Sequence, residues 1–308
     1  MNEIYDLIII GEGPAGLTAA IYAKRAELKV LLIERYSAGG QILNTYEVDN
    51  YPGLPGISGF DLAMKMSEHA DKFSVERVNA EVESVNFDDV VKVINTDSGS
   101  YSAYSVILAT GNSPRKLEVS GEEELTGCGV SYCATCDGAF FKKKAVAVVG
   151  GGDVAVEDAI FLARICSKVY LIHRRDELRA AKILQTALFQ YDNVEAVWDS
   201  VVEEIKGEDL VECIRVKNVK DNTTSELAVS GIFVATGNTP NASFLEKINI
   251  DRNSNGYIIA DESCATSIPG VFVCGDLRDK KLRQVSTAVA DGANGVYSVQ
   301  EYLMRLTK

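Results

Sequence analysis

One local pattern occurs twice in this chain, and it constrains the fold more than anything else in the sequence. Tyr5–Ile10 is a short apolar, β-branched run, and Gly11-Glu12-Gly13-Pro14-Ala15-Gly16 follows it at once. From Leu17 to Leu28 apolar residues recur at helical spacing, and Val30–Ile33 reads as a second buried strand that ends at Glu34. The second copy runs from Ala145–Val149 through Gly150-Gly151-Gly152-Asp153-Val154-Ala155. Its helix is expected over about Ala155–Ile165 and its strand over Val169–Ile172, ending at His173-Arg174-Arg175. The copies also close alike, Val106–Ala109 leading into Thr110-Gly111 and Ile232–Ala235 into Thr236-Gly237. The spans from Gly11 to Gly111 and from Gly150 to Gly237 are too long for solenoid units and read as duplicated domains.

A lone glycine-rich turn says little, because the same residues also make a plain tight turn between strand and helix. Here each copy follows a strand and opens a helix, which is the context a dinucleotide fingerprint requires. The glycines (Gly11, Gly13 and Gly16; Gly150 and Gly152, with Ala155 in third place) let backbone approach a pyrophosphate, and the helix N-terminus offers free N–H groups. Asp153 opens the second helix. The second strand ends at Glu34 in copy one and at the equivalent offset, His173, in copy two. A carboxylate there accepts hydrogen bonds from a free ribose 2′-hydroxyl and repels a 2′-phosphate. Arg174, Arg175 and Arg179 would instead bind that phosphate with charge-assisted bonds, unless they are merely a solvated basic loop. Copy two therefore favours NADPH, and copy one, with Arg35 just after the acid, an adenine dinucleotide without that phosphate, such as FAD.

Cys133-Ala134-Thr135-Cys136-Asp137-Gly138 lies at the start of the second unit. A CxxC spacing allows a disulfide that opens and closes. Half a zinc site is the competing reading, but the chain has no second CxxC and only two histidines, His69 and His173. No metal is expected. Asp137, next to the second sulfur, is a candidate proton donor or acceptor for a thiolate leaving group; it also suits a turn before Gly138.

Composition fits a globular chain of two domains: 308 residues, 46% hydrophobic and 24% charged. The net charge of −13 gives no general reason to bind nucleic acid or anionic lipid. No apolar run approaches a membrane span, and the N-terminus enters a strand without a charged-then-apolar leader. The other cysteines, Cys128, Cys166, Cys213, Cys264 and Cys274, make an odd, dispersed set that does not look like a secreted disulfide framework. A cytoplasmic protein is expected.

With CATCDG between GEGPAG and GGGDVA…HRRDELR, the sequence resembles the low-molecular-weight, bacterial-type thioredoxin reductases over essentially its whole length. Gly39-Gly40-Gln41, Asp49-Asn50-Tyr51-Pro52-Gly53, Cys274-Gly275-Asp276 and Arg283-Gln284 extend the resemblance. It implies an FAD flavoprotein that moves electrons from NADPH to the CxxC disulfide and on to thioredoxin, as a homodimer. It also implies that Glu34, Gly40, Gln41 and Asn50 contact FAD, with Gly275, Asp276, Arg283 and Gln284 closing around the flavin. Two positions depart from the pattern. Glu12 puts a carboxylate where a small residue is commonest, which should cost something unless it points outward, and Val154 replaces a Ser or Thr.

The expected fold is α/β: two Rossmann-like, three-layer dinucleotide-binding domains, the second inserted into the first. Residues 1–113 and 241–308 would form the FAD-binding domain, and 114–240 the NADPH-binding domain with the CxxC. The crossings, near 112–116 and 238–241, contain Pro114 and Pro240 and would serve as hinges for a rotation between half-reactions. Two other functions compete: a reductase of the same fold using ferredoxin or another dithiol protein, and a non-catalytic redox sensor.

Overall fold

Along β1 (Ile4–Ile10), Leu7, Ile8, Ile9 and Ile10 are all buried, so this strand must carry material on both faces. The computed structural model, which describes residues 3–45 and 47–306, shows what lies there. After β1 come α1 (Pro14–Arg25), β2 (Val30–Glu34), α2 (Gly59–Asp71) and β3 (Glu76–Asn79). Then β4 (Val82–Asn86), β5 (Lys92–Thr96) and the long β6 (Gly99–Leu108) form an antiparallel meander. The chain leaves through β7 (Asn112–Pro114) and builds β8 (Val130–Ser131), α3 (Ala134–Asp137), β9 (Ala145–Val149), α4 (Asp153–Ala163) and β10 (Lys168–Ile172). Next come α5 (Lys182–Leu188), β11 (Val194–Val197) and a second meander of β12 (Ser200–Lys206), β13 (Cys213–Asn218) and β14 (Thr224–Ala228). After β15 (Gly231–Val234) the chain returns through β16 (Asn238–Pro240) and ends with β17 (Val271–Val273) and α6 (Val285–Leu306).

Two compact units result, one of Met1–Tyr46, Tyr51–Ser113 and Thr239–Lys308, the other of Glu47–Asn50 and Pro114–Asn238. Relative to the expected boundaries, Thr239 and Pro240 fall with the first unit and Glu47–Asn50 with the second.

Both units have the same parallel sheet, ordered β3-β2-β1-β6-β17 in the first and β11-β10-β9-β15-β8 in the second. The order reverses at β1 and at β9, which opens a crevice beyond the carboxyl ends of the strands. Register brings Ile10, Ile33 and Leu108 into one row, and Val149, Ile172 and Val234 into another. Gly11 and Glu34, and likewise Gly150 and His173, therefore emerge side by side at that edge.

Alternation along the strands makes three layers. Leu7 and Ile9 pack on α1 and α6, while Ile8 and Ile10 pack on the meander through Val85, Phe87 and Ile94. In the second unit Val146 and Val148 face α4, and Ala147 and Val149 face Val202, Ile214 and Val216 of its meander. The fold is α/β, as expected.

The helices start earlier than their apolar spacing predicted. α1 begins at Pro14, whose missing N–H is no loss at a first helical position, and stops at Arg25 because Glu27 takes a left-handed φ of 60°. α4 spans Asp153–Ala163 rather than Ala155–Ile165. In each case the helix begins directly after the second glycine, so its first turn belongs to the glycine-rich motif.

Candidate functional site

In the first unit, two of the three glycines make packing possible and the third leaves room. A Cβ on Gly11 (φ +108°) would lie 2.5 Å from the Ala109 carbonyl oxygen, and one on Gly16 would lie 1.8 Å from the Gly11 carbonyl oxygen. Around Gly13 nothing lies within 4 Å of where a Cβ would be. Gly13 caps α1 without a side-chain acceptor, so the helix start meets open space through backbone alone. Gly39 donates its N–H to the Glu12 carbonyl at 2.7 Å, and a Cβ on Gly40 would stand 3.3 Å from the Gly13 Cα. The 39–40 loop thus walls the same space.

Glu34 is fixed beside it, accepting N–H bonds from Glu12 (2.8 Å), Arg35 (2.9 Å) and Tyr36 (2.9 Å). Its two oxygens keep lone pairs for a ribose hydroxyl. Arg35 itself is held by Glu81 and Tyr36. Glu12 does not point outward; it is buried. Its carboxylate turns in toward Arg77 on β3 (3.6 Å), and Arg77 also holds Asp71 (3.0 Å) and the Ser67 hydroxyl (3.0 Å). Burial pushes the Glu12 carboxyl above its ordinary range, with Arg77 opposing the shift.

The C-terminal segment returns to this turn. A Cβ on Gly275 (φ +73°) would come within 2.9 Å of the Ala15 Cβ. Asp291 on α6, buried, accepts the Gly275 N–H (3.0 Å) and holds Arg278 through both oxygens (3.1 and 2.8 Å) and Lys280 (3.0 Å). Asp276 follows, with a buried Oδ1 that has no hydrogen-bond partner, and burial raises its carboxyl. Arg283 donates to the Asp276 carbonyl (3.4 Å) and stacks on Tyr257 (4.1 Å to the ring centre). Gln41 donates to the Asn112 side chain at 2.8 Å, and Asn112 reaches the Tyr257 hydroxyl at 3.4 Å. Gln284 sits immediately before α6. Asn50 lies in the Glu47–Asn50 segment grouped with the other unit. Sequence reasoning missed Arg77, Asn112, Tyr257, Arg278, Lys280 and Asp291, because no local motif marks partners so distant along the chain.

The second unit repeats the cradle. A Cβ on Gly150 would meet the Ala235 carbonyl oxygen (2.5 Å) and the Ala155 Cβ (2.7 Å), while nothing lies within 4 Å of that position on Gly152. Asp153 ties the α5 start to the turn by accepting the Ala181 N–H (2.8 Å), and Arg179 N–H donates to the Gly151 carbonyl (2.7 Å). His173, at the offset of Glu34, is buried, and its ring fills the space where Gly151 lacks a side chain, so it packs beneath the turn. Burial, and then Arg179, Arg175 and Arg174, push its imidazole below the usual range, and its Nε2 has no partner. Those three arginines are exposed, and among the described residues no carboxylate lies within ion-pair distance of any of them. Such a cluster fits a phosphate dianion. Val154 is exposed on the first turn of α4.

Cys133 and Cys136 form a disulfide across α3, with Cα atoms 5.3 Å apart. Ser131, at the end of β8, donates to Asp137 Oδ2 at 2.6 Å and accepts the Cys133 N–H at 3.1 Å. Asp137 Oδ1 is buried without a partner, and burial raises this carboxyl while Ser131 opposes the rise. The remaining cysteines are unpaired thiols; burial pushes Cys166 up to about 11, which leaves it inert.

The family model of pyridine nucleotide-disulphide oxidoreductases matches residues 5–292. A thioredoxin reductase of Peptoclostridium acidaminophilum is 47% identical over 311 residues, covering 98% of each chain. The crystal structure of thioredoxin reductase from Streptococcus pyogenes MGAS5005 superposes with a TM-score of 0.94 at 48% identity, covering 99% of this chain and 100% of that one. Lactococcus lactis thioredoxin reductase in its FR conformation gives a TM-score of 0.68 at 44% identity, covering 98% and 99%.

Two outcomes follow from the cradle and its clamp. Gly13→Ala should leave unfolding midpoints nearly unchanged yet lower flavin content, whereas Gly16→Ala should destabilise the fold itself by ~1–3 kcal/mol through overpacking. Asp291→Ala removes the buried carboxylate shared by Arg278 and Lys280, both largely covered, and should cost about 3 kcal/mol in urea unfolding, since Arg278 keeps two carbonyls and Lys280 keeps Asp276. Wild-type stability in that protein would show the clamp to be idle.

Proposed function

The chain belongs to the pyridine nucleotide-disulphide oxidoreductase family, and we propose that it acts as a thioredoxin reductase. Electrons would pass from NADPH through FAD to the Cys133–Cys136 disulfide, and from the reduced pair to oxidised thioredoxin. The observation that carries this reading is the closed disulfide next in sequence to a half-buried carboxyl, Asp137, whose Oδ1 is buried and accepts no hydrogen bond. It stands in the same unit as a nucleotide cradle flanked by three unpaired arginines.

The residues present fit both cofactors. For FAD, Gly11, Gly13 and Gly16 shape the pyrophosphate turn, Gly40 and Gln41 wall it, and Glu34 is oriented to take a ribose hydroxyl. Gly275, Asp276, Arg283 and Gln284 would complete that site, where the buried Asp276 Oδ1, 3.9 Å from Lys280 Nζ, accepts no hydrogen bond and fits a donor of the flavin. For NADPH, Gly150, Gly152, Asp153 and Ala155 form the turn, and Arg174, Arg175 and Arg179 hold the 2′-phosphate with His173 packed beneath. The intact, unpaired arginine trio favours NADPH over ferredoxin as the donor. When bound, NADPH supplies a hydride and FAD passes two electrons to a disulfide.

The chain's own chemistry is dithiol exchange. In the reduced pair one thiol loses its proton and its sulfur attacks the substrate disulfide, forming a mixed disulfide; the first substrate sulfur leaves and takes a proton. The second cysteine then loses its proton and attacks the mixed disulfide, closing the Cys133–Cys136 bond and expelling the other substrate sulfur, which takes that proton. Asp137 is placed to accept the first proton and return it to the leaving thiolate. The dithiol must serve both a flavin and a protein substrate, so a rotation about the crossings is part of the proposal. β7 and β16 pair as a two-stranded ribbon, with Asn241 bonded to Gly111 at one end and Arg115 to Gly237 at the other. The fall in TM-score to 0.68 for a relative of similar identity supports two arrangements within the family. No helix among the described residues is long and apolar enough to cross a membrane; a cytoplasmic homodimer completes the reading.

Replacing Arg174 and Arg175 with Ala should raise the KM for NADPH about tenfold or more per arginine, while NADH is barely affected. Equal losses for both nucleotides would remove the 2′-phosphate assignment. Cys133→Ser or Cys136→Ser should abolish thioredoxin reduction, yet leave FAD bound and reducible by NADPH. Turnover by either variant would end the dithiol reading.

A further inference from the structure

We propose that Ser131 is a positioning residue for the dithiol exchange: its hydroxyl donates to one oxygen of Asp137, favours the other as the seat of the transferable proton, and ties the carboxyl to the backbone of the first redox cysteine. The proposal rests on the role of Asp137 given above and deepens it.

Ser131 ends a strand of two residues, β8, held in register opposite Phe233 of β15. It is buried, and its Oγ is a junction. The single hydroxyl proton goes to Asp137 Oδ2 at 2.6 Å, a length typical of a bond to an ionised carboxylate. The Cys133 carbonyl, at 3.3 Å, is the weaker competitor for that proton. A lone pair of the same oxygen takes the Cys133 N–H at 3.1 Å. The carboxyl is thereby anchored from one side, while the Asp137 and Cys136 N–H groups bond the Cys133 carbonyl at 3.1 and 3.2 Å and close the turn around the sulfurs.

Asp137 then has two unlike oxygens. Oδ2 already accepts a hydroxyl, which satisfies one of its lone pairs and makes it the less basic oxygen. Oδ1 is buried and accepts no hydrogen bond, so it is the oxygen favoured to take a proton from a cysteine thiol and to give it up again. The side chains nearest to Gly138 are apolar: Phe161 and Leu162 of α4, and Ile165 just beyond its end. No charged neighbour influences the Asp137 carboxyl; burial raises it and Ser131 alone holds it down. Removing the hydroxyl therefore moves its titration upward. No electrons are required beyond those of the exchange, in which one enzyme S–S bond forms as one substrate S–S bond breaks.

The test follows the reaction of pre-reduced holoenzyme with oxidised thioredoxin by rapid mixing across pH. The proteins compared are wild type, Ser131→Ala, Ser131→Thr, Asp137→Asn and the Ala/Asn double variant, with flavin reduction by NADPH as the control for folding. The limb of the pH profile owed to Asp137 should move to higher pH by about one unit in Ser131→Ala, the loss expected for one hydrogen bond to a charged group. Ser131→Thr, which keeps the hydroxyl, should restore the wild-type profile, and Ser131→Ala should add nothing in the Asn background. Carbon-13 NMR titration of the Asp137 carboxyl should show the same upward shift independently of turnover. Ser131→Gly serves as a second truncation if the Ala protein does not fold. An unmoved limb and carboxyl titration in the truncated proteins, with Asp137→Asn still slow, would overturn the role of Ser131 alone. Wild-type exchange by Asp137→Asn would instead overturn the role of Asp137, and that of Ser131 with it.

Discussion

Two backbone contacts govern this molecule. In the first unit the Gly11 carbonyl oxygen stands where Gly16 would carry a Cβ, and in the second the Ala155 Cβ occupies the space that Gly150 leaves open. These approaches fix the angle at which each helix leaves its strand. Everything chemical is hung from that angle: the open face of Gly13 and of Gly152, the helix starts behind them, and the strand-end residues Glu34 and His173 alongside. A side chain at Gly11 or Gly16 would force the helix away and take the cradle with it.

The same frame is given opposite electrostatics in its two copies. In the first, Glu34 is locked by three backbone N–H groups, and the additional carboxylate Glu12 is turned inward onto Arg77. In the second, the strand-end residue is swallowed beneath Gly151 and the positive charge is carried by three exposed arginines. The chain as a whole is acidic, with net charge −13, so these arginines make a local basic site against an opposing background. Burial sets the other carboxyls: Asp137 and Asp276 are each raised by desolvation, and in each a buried Oδ1 accepts no hydrogen bond among the described residues, that of Asp276 lying 3.9 Å from Lys280 Nζ.

What could be read from the sequence was what repeats or is local. Strand, glycine turn and helix are adjacent in the chain, so both copies, the CxxC and the Glu34 and arginine offsets were visible. Partners that meet only through the fold were not. Gln41 meets Asn112 across 71 positions and Asn112 meets Tyr257 across 145, while Asp291 gathers Gly275, Arg278 and Lys280 from a loop of otherwise unmarked composition. The two antiparallel meanders also escaped notice, because their alternation resembles that of any half-buried strand. The offset put His173 at the place of Glu34; its burial depends on Gly151 having no side chain, which spacing does not report. The source of the fifth strand was likewise hidden: β17 comes from the far C-terminal side, β8 from ahead of the glycine turn.

The account stands on one electron path, from nicotinamide to flavin to the Cys133–Cys136 disulfide. Anaerobic titration of the purified flavoprotein with NADPH, with thiols trapped and located at each step, tests that path most directly. The account predicts bleaching of the flavin and appearance of new thiols at Cys133 and Cys136 alone, driven by NADPH. Bleaching without any thiol at those two positions, or a flavin that NADPH does not reduce, would contradict it.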